Sequence, residues 1–125
     1  MRKETAMVVN KFILRKAMAM SRTHTNGTSL FLHGNEIAKH DDEGNVLISF
    51  AGWPTATTSD RLNAVINLHP NVSKRLRGVK CKGGKIYLVF RGGDKVRMGD
   101  MEWVNISLSS KLAAFAPFKI NEHDN

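Results

Sequence analysis

The sequence predicts an α+β fold: an antiparallel β-sheet of five or six strands with an N-terminal amphipathic helix and one central helix. Three observations support it: a long apolar start without Gly or Pro, short strand-like runs separated by glycine turns, and a helical run that ends at Pro70. With 125 residues, 42% of them hydrophobic and 24% charged, the chain fits a single domain, 1–125.

The first predicted element is a helix over 4–21, where Ala, Met, Leu and Val dominate. Its apolar positions recur at helical spacing, at Val9, Ile13, Ala17 and Met20. A core helix with a solvated basic face is the plainest interpretation. A partner-binding helix that brings two copies together, a membrane-surface helix and an organelle transit peptide are the alternatives.

An antiparallel meander follows, at the start of the sheet region 29–108. Its predicted strands are 29–33, 36–40 and 46–51, with tight turns at Gly34-Asn35 and at the acidic segment 41–45. The Gly52-Trp53-Pro54 segment ends the third strand, because proline cannot continue a sheet ladder.

The central helix is predicted over 59–68. Thr57 or Thr58 is the expected N-cap, since Thr57 and Asp60 have capping-box spacing, and Pro70 ends the run. The expected buried stripe consists of Leu62, Val65, Ile66 and His69. Arg61 lies near the start of this helix, where the helix dipole disfavours a cation. Its expected partner is therefore the acidic turn 41–43 or, alternatively, an anion bound at the helix start.

The last third of the chain is again strand-like. Strands are predicted over 77–82, 85–90 and 95–98, with turns at Gly83-Gly84 and 91–94. Residues 102–108 are expected to close the sheet. Residues 109–125 are expected to form a docked segment followed by a frayed tail.

The charge of the chain predicts an anionic partner. Nineteen Lys and Arg against eleven Asp and Glu give a net charge of +8. Residues 70–100 alone hold nine basic and two acidic side chains, whereas residues 36–60 hold one basic and five acidic ones. Such segregation creates a directed field that steers a polyanion to one surface.

Strand alternation locates the candidate interface on this basic segment. If Val79 and Cys81 point inward, then Lys80 and Lys82 point outward, and Tyr87 shares their face across the turn. Cations around one aromatic ring are typical of a surface that binds single-stranded DNA or RNA. The candidate nucleic-acid-binding residues are Lys74, Arg75, Arg77, Lys80, Lys82, Lys85, Tyr87, Arg91, Lys95 and Arg97. The plainer alternative is a solvated sheet face that lysines protect from aggregation.

Catalytic and metal chemistry finds little support in the sequence. None of the five histidines lies three or four residues from another, and the lone Cys81 is expected to be buried and inert. The acidic turn is solvated, so nothing there raises a carboxyl pKa. We therefore expect neither an enzyme nor a bound metal or cofactor. The sequence also has no apolar run long enough for a membrane span, and no second cysteine for a disulfide.

Two sequence strings resemble a known family. Residues 28–38, TSLFLHGNEIA, and residues 51–64, AGWPTATTSDRLNA, are similar to small proteins of uncharacterised function encoded by tailed bacteriophages. The resemblance covers about residues 5–80 and implies a phage origin and the host cytoplasm. It implies no reaction.

Two functions remain as hypotheses. The first is non-enzymatic, weakly sequence-specific binding of single-stranded nucleic acid by a homo-oligomer that supports phage replication or transcription, with a phage or host polymerase as a further partner. The alternative is an interaction protein that modulates a host polymerase or defence factor through apolar contacts, using the Met-rich helix, Trp53 and Trp103.

Overall fold

The computed structural model describes residues 2–20 and 22–107, which form two helices and nine strands. The helices are α1 (Lys3–Ile13) and α2 (Ala56–Leu68). The strands are β1 (Ala17–Met20), β2 (Thr23–Asn26), β3 (Ser29–Leu32), β4 (Asn35–His40), β5 (Val46–Ile48), β6 (Leu76–Lys82), β7 (Lys85–Phe90), β8 (Lys95–Met98) and β9 (Val104–Asn105). This arrangement confirms the predicted α+β fold, with its N-terminal and central helices and its antiparallel strands.

The N-terminal helix is much shorter than predicted. It ends at Ile13, and Arg15 adopts a left-handed conformation, with φ of 60°, that reverses the chain into β1. The prediction of helix over 14–20 is wrong because β1 pairs with β2 from Ala17 opposite Asn26 to Met20 opposite Thr23. Alanine and methionine carry no strong stop signal, so pairing with a neighbouring strand decides their conformation.

Strands β1 to β5 and β9 form a six-stranded sheet in the order β1-β2-β3-β4-β5-β9. The predicted meander of β3, β4 and β5 is confirmed. The tight turn between β3 and β4 lies one residue earlier than predicted, at His33-Gly34, where φ is 53° and 81°. Two consecutive positive φ angles are typical of the type I′ turns that suit the twist of a hairpin.

Helix α2 starts earlier than predicted. Its N-cap is Thr55, whose Oγ1 accepts a hydrogen bond from the Thr58 backbone N–H at 3.2 Å, so the predicted cap at Thr57 or Thr58 is wrong. Thr55, Thr57 and Thr58 offer the same capping chemistry, and Thr55 is the one whose hydroxyl accepts a hydrogen bond from a backbone N–H of the first turn. The predicted end before Pro70 is confirmed, since the helix finishes at Leu68 with His69 as C-cap.

The remaining strands form a separate sheet. Strands β6, β7 and β8 pair antiparallel in sequence order, and their bounds match the predicted strands closely. Of the segment predicted over 102–108, the described part, 102–107, contributes β9, which pairs with β5 in the larger sheet. The strands are therefore divided between two sheets of six and three strands.

One buried cluster of hydrophobic side chains joins both sheets and both helices. Helix α1 contributes Val8, Val9 and Phe12, and α2 contributes Leu62, Ala64, Val65 and Ile66, all with no exposed surface. This confirms the plainest interpretation of α1 as a core helix. The predicted C-terminal segment 109–125 lies outside the described residues, and no helix among the described residues is long and apolar enough to cross a membrane.

Candidate nucleic-acid interface

The outer face of the three-stranded sheet carries the predicted basic residues in register. Lys80 on β6 lies directly opposite Tyr87 on β7, and Tyr87 lies directly opposite Arg97 on β8. Lys82 and Lys85 form the next pair, and Lys95 lies opposite Val89. Side chains in directly opposed positions are about 5 Å apart at Cβ. We call this surface, formed by Lys80, Lys82, Lys85, Tyr87, Lys95 and Arg97, the basic face.

Strand alternation fixes which side chains reach the basic face. The intervening residues Val79, Ile86, Leu88 and Met98 are buried in the core. Because neighbours along a strand point to opposite sides, burial of this set holds the charged set in solvent. The Gly83-Gly84 turn, with φ of 59° and 76°, keeps Lys82 opposite Lys85.

Tyr87 is half-buried between two cations. The Arg97 guanidinium carbon lies 6.0 Å from the centre of the Tyr87 ring, at the outer limit of a cation–π contact. Lys80, Lys82 and Lys85 are exposed and form no ion pair with another described residue. The face therefore presents unneutralised positive charge around one aromatic ring.

A groove of about 470 Å³ runs between the basic face and α2. Asn63 and Asn67 of α2 line one side, and Gly78, Val89 and Lys95 line the other. Asn63 Oδ1 accepts a hydrogen bond from the Val79 backbone N–H at 2.7 Å, which fastens α2 to the edge of β6. A Cβ at Gly78 would lie 2.3 Å from Asn63 Oδ1, so this close approach requires glycine.

Sequence reasoning missed the role of Asn63. A polar residue in the middle of a helix and a glycine inside a strand were the available signals, but they are sixteen residues apart. Nothing in either segment alone indicates that they meet.

Four of the predicted site residues lie off the basic face. Arg75 donates a hydrogen bond to the Ile106 carbonyl oxygen, and burial lowers the pKa of its guanidinium. Arg91 donates from Nε to the Ser73 carbonyl oxygen at 3.0 Å. These two arginines hold the loop before β6 in place. Lys74 is exposed in that loop, and Arg77 is exposed at the irregularity of β6 and lines the groove.

The prediction that the acidic turn 41–43 is the partner of Arg61 is wrong. Its Nη1 contacts Asp60 at 2.6 Å and its Nε donates to Thr23 Oγ1 at 3.0 Å. Asp41 of the acidic turn instead accepts hydrogen bonds from the backbone N–H groups of Glu43 and Asn45. The acidic turn is thus stabilised within itself, and Arg61 is held by its own helix and by β2.

His40, His69 and Cys81 each have a structural contact. His40 Nε2 donates to the Phe12 carbonyl oxygen at 2.8 Å, and His69 Nδ1 accepts from the backbone N–H groups of Asn71 and Val72. Burial lowers the pKa of both histidines. Cys81 is half-buried, with its sulfur 3.0 Å from the Pro54 carbonyl oxygen. Within the described part of the chain, no three His, Cys, Asp or Glu side chains are grouped as metal ligands.

Comparison with known proteins identifies a family. A search of the curated proteins and a search of the solved structures gave no significant match. The family model described as Kyanoviridae Gp96 protein matches residues 1–111, which is most of the chain and includes both helices and all nine strands. The protein therefore belongs to the Kyanoviridae Gp96 family of phage proteins.

Proposed function

We propose that the protein binds single-stranded nucleic acid through the basic face, without catalysis and with little sequence specificity. It acts in the host cytoplasm in support of phage replication or transcription. The observation that carries the proposal is the cross-strand row of Lys80, Tyr87 and Arg97. A homo-oligomer would align several such faces along one strand.

The row suits the repeating chemistry of a single strand. Lysine and arginine neutralise phosphates, and an aromatic ring accepts a base of any identity by stacking. Stacking on Tyr87 requires an unpaired base, because a base inside a duplex already stacks on its neighbours. The groove continues the same surface, with the amides of Asn63 and Asn67 as additional hydrogen-bonding groups.

The first test measures the affinity for a labelled single-stranded oligonucleotide by fluorescence anisotropy at 50 and 200 mM salt. About five phosphate contacts predict that affinity falls roughly 100-fold over this range. Replacing Lys80, Lys82 and Lys85 together by Glu should abolish binding. The matched control replaces Lys3, Lys11 and Lys16 by Glu, because these exposed lysines lie outside the basic face and the change in net charge is the same. Equal losses in the two triple variants would contradict the site.

Stacking is tested separately at Tyr87. Tyr87→Leu should weaken binding about 5- to 150-fold, which corresponds to 1–3 kcal/mol for one stacked base. Tyr87→Phe keeps the ring and should retain most of the affinity. If the leucine variant binds as tightly as the phenylalanine variant, then no base stacks at this position.

The second candidate function is binding of a host protein through apolar contacts. Burial of Val8, Val9 and Phe12 removes the core-facing side of α1 from this role, but Met7 is 41% exposed and Leu14 is 63% exposed. Met7 lies within α1 and Leu14 is its C-cap. Because they are seven residues apart, they lie on the same side of the helix. The Trp103 ring already makes a cation–π contact with Lys39, whose Nζ lies 4.2 Å from the ring centre. Binding that persists at high salt and is lost in Met7→Ser/Leu14→Ser would favour this function over the first.

A further inference from the structure

Two cavities flank the first turn of α2, away from the basic face. One, of about 340 Å³, is lined mainly by three arginines and three threonines: Arg2, Arg22, Arg61, Thr5, Thr23 and Thr57. We call it the arginine cavity. Its basic residues come from three distant parts of the sequence, before α1, before β2 and within α2.

The arginine cavity is electropositive and partly preorganised. Among the described residues that line it, Glu4 supplies one carboxylate against three guanidinium groups, of which that of Arg61 is paired with Asp60. Arg61 is fixed by Thr23 and Asp60, and only 12% of its side chain is exposed. The side chains of Arg2 and Arg22 form no hydrogen bond or ion pair with another described residue. These two guanidinium groups can therefore bind an oxyanion without breaking an existing contact, and arginine forks match phosphate oxygens well.

The second cavity, of about 360 Å³, has a different chemistry. The buried core residues Leu32, Ile37 and Phe50 lie along its wall, and its exposed apolar group is the Trp53 ring, which is 57% exposed. We call it the Trp53 cavity. His33 of the β3–β4 turn and Asn35 at the start of β4 are polar residues that also line it. An apolar cavity with an accessible ring and a few polar groups suits a flat heterocycle.

The two cavities are immediate neighbours. Thr57 lines both of them. On the opposite side, the His33 backbone N–H donates to the Arg22 carbonyl oxygen at 2.8 Å, so residues of the two cavities are hydrogen-bonded to each other. A ligand that fills both needs a flat, largely apolar end and an anionic end.

We propose that the paired cavities bind a mononucleotide, with the base against Trp53 and the phosphate among Arg2, Arg22 and Arg61. No residue of the basic face lines either cavity. This site is therefore separate from the surface that binds the single strand, and it accepts a free nucleotide. Thr57 provides a hydroxyl between the two ends of the ligand.

Tryptophan fluorescence provides a direct test, since the chain has two tryptophans. Trp103→Phe leaves Trp53 as the one tryptophan, and this variant is titrated with each of the four ribonucleoside monophosphates at fixed ionic strength. At least one should quench Trp53 and bind at least tenfold more tightly than both its nucleoside and inorganic phosphate. If every nucleotide binds no better than inorganic phosphate, the proposal is overturned.

Substitutions in the arginine cavity supply the second part of the test. Arg22→Gln should weaken nucleotide binding at least fivefold, whereas Glu4→Gln should strengthen it because a repelling carboxylate is lost. Lys11→Gln, exposed on α1 outside the cavity, is the matched control and should not change the affinity. Equal weakening in Arg22→Gln and Lys11→Gln would indicate a general charge effect and would overturn the site.

The two proposals can fail independently. The variant in which Lys80, Lys82 and Lys85 are replaced by Glu should bind the mononucleotide as the parent protein does, although its strand binding is lost. Arg22→Gln should retain strand binding. If an oligonucleotide displaces the mononucleotide in the triple variant, then the cavity holds a strand end, and the inference of a free nucleotide is wrong.

Discussion

His40 links the first helix to the six-stranded sheet. Its ring stacks on Phe12 with the ring centres 4.4 Å apart, and its Nε2–H satisfies the Phe12 carbonyl oxygen near the end of α1. Burial lowers the pKa of His40 from its usual value of 6.5, more strongly than the hydrogen bond to Phe12 raises it. The charge of Arg15 lowers this pKa further, and Asp41 opposes that effect. The folded protein thus favours neutral His40.

This pKa shift predicts that the protein loses stability in acid. Below pH 6.5 the unfolded chain binds a proton at His40 more readily than the folded protein does, so the free energy of unfolding falls as the pH decreases. The decrease continues until the folded-state pKa is passed. His69, whose pKa is also lowered, adds to it in the same direction. Urea unfolding at pH 7.5 and 5.5 measures the loss.

His40→Gln should reduce this pH dependence of stability, because one titrating group is gone. The part that remains should come from His69. The control is His24→Gln, since His24 is exposed. An unchanged difference between pH 7.5 and 5.5 in His40→Gln would show that His40 does not contribute.

At the scale of elements, Asn63 joins α2 to β6 beside the basic face. Asn63 both accepts the Val79 N–H and occupies the space that a side chain at residue 78 would need. Asn63→Ala should cost about 1–3 kcal/mol of unfolding free energy, since the Val79 N–H loses its partner. Gly78→Ala should cost a similar amount through overpacking against Asn63.

Urea unfolding of the double variant shows whether the loss in Gly78→Ala comes from its clash with Asn63. Removing the Asn63 side chain relieves the clash, so Asn63→Ala/Gly78→Ala should be less destabilised than the sum of the single variants. Asn67→Ala, exposed one turn later on α2, is the control and should change stability by less than about 0.5 kcal/mol. Strict additivity would contradict the contact.

The elements also show how much the sequence could predict. Strands β3, β4, β6, β7 and β8 were predictable because alternation and glycine turns are local signals. The end of α1 was not predictable, since the Ala-Met run pairs with β2 only in the folded chain. The same contrast applies to the sites. Alternation along β6 and β7 places the lysines of the basic face, whereas Arg2, Arg22 and Arg61 meet through packing that no local pattern encodes.

At the scale of the whole molecule, both sheets share one hydrophobic core. Ile48 of β5 and Leu88 of β7 are fully buried in the same cluster as Leu62 of α2. Because neither sheet has a separate core, we expect cooperative unfolding as one unit. The six-stranded and three-stranded sheets should therefore report the same global stability.

Hydrogen exchange checks this expectation. The free energies of opening measured at the backbone amides of Ile48 and Leu88 should be equal to each other and to the free energy of global unfolding. Leu62→Ala should lower both by the same amount, about 2–5 kcal/mol, because it leaves a cavity in the shared core. A selective loss at Leu88 would instead indicate that the three-stranded sheet opens alone.

The contact between α2 and β6 has a further consequence for the solution behaviour of the protein. An uncovered strand edge invites another chain to add to the sheet and aggregate. At the β6 edge, Asn63 accepts the hydrogen bond of the Val79 N–H. The other edge strand, β8, pairs only with β7 within residues 2–20 and 22–107. It carries the charged side chains of Lys95 and Arg97. Both edges of the smaller sheet thus discourage strand addition. The protein can carry an exposed sheet face and still resist assembly into fibres.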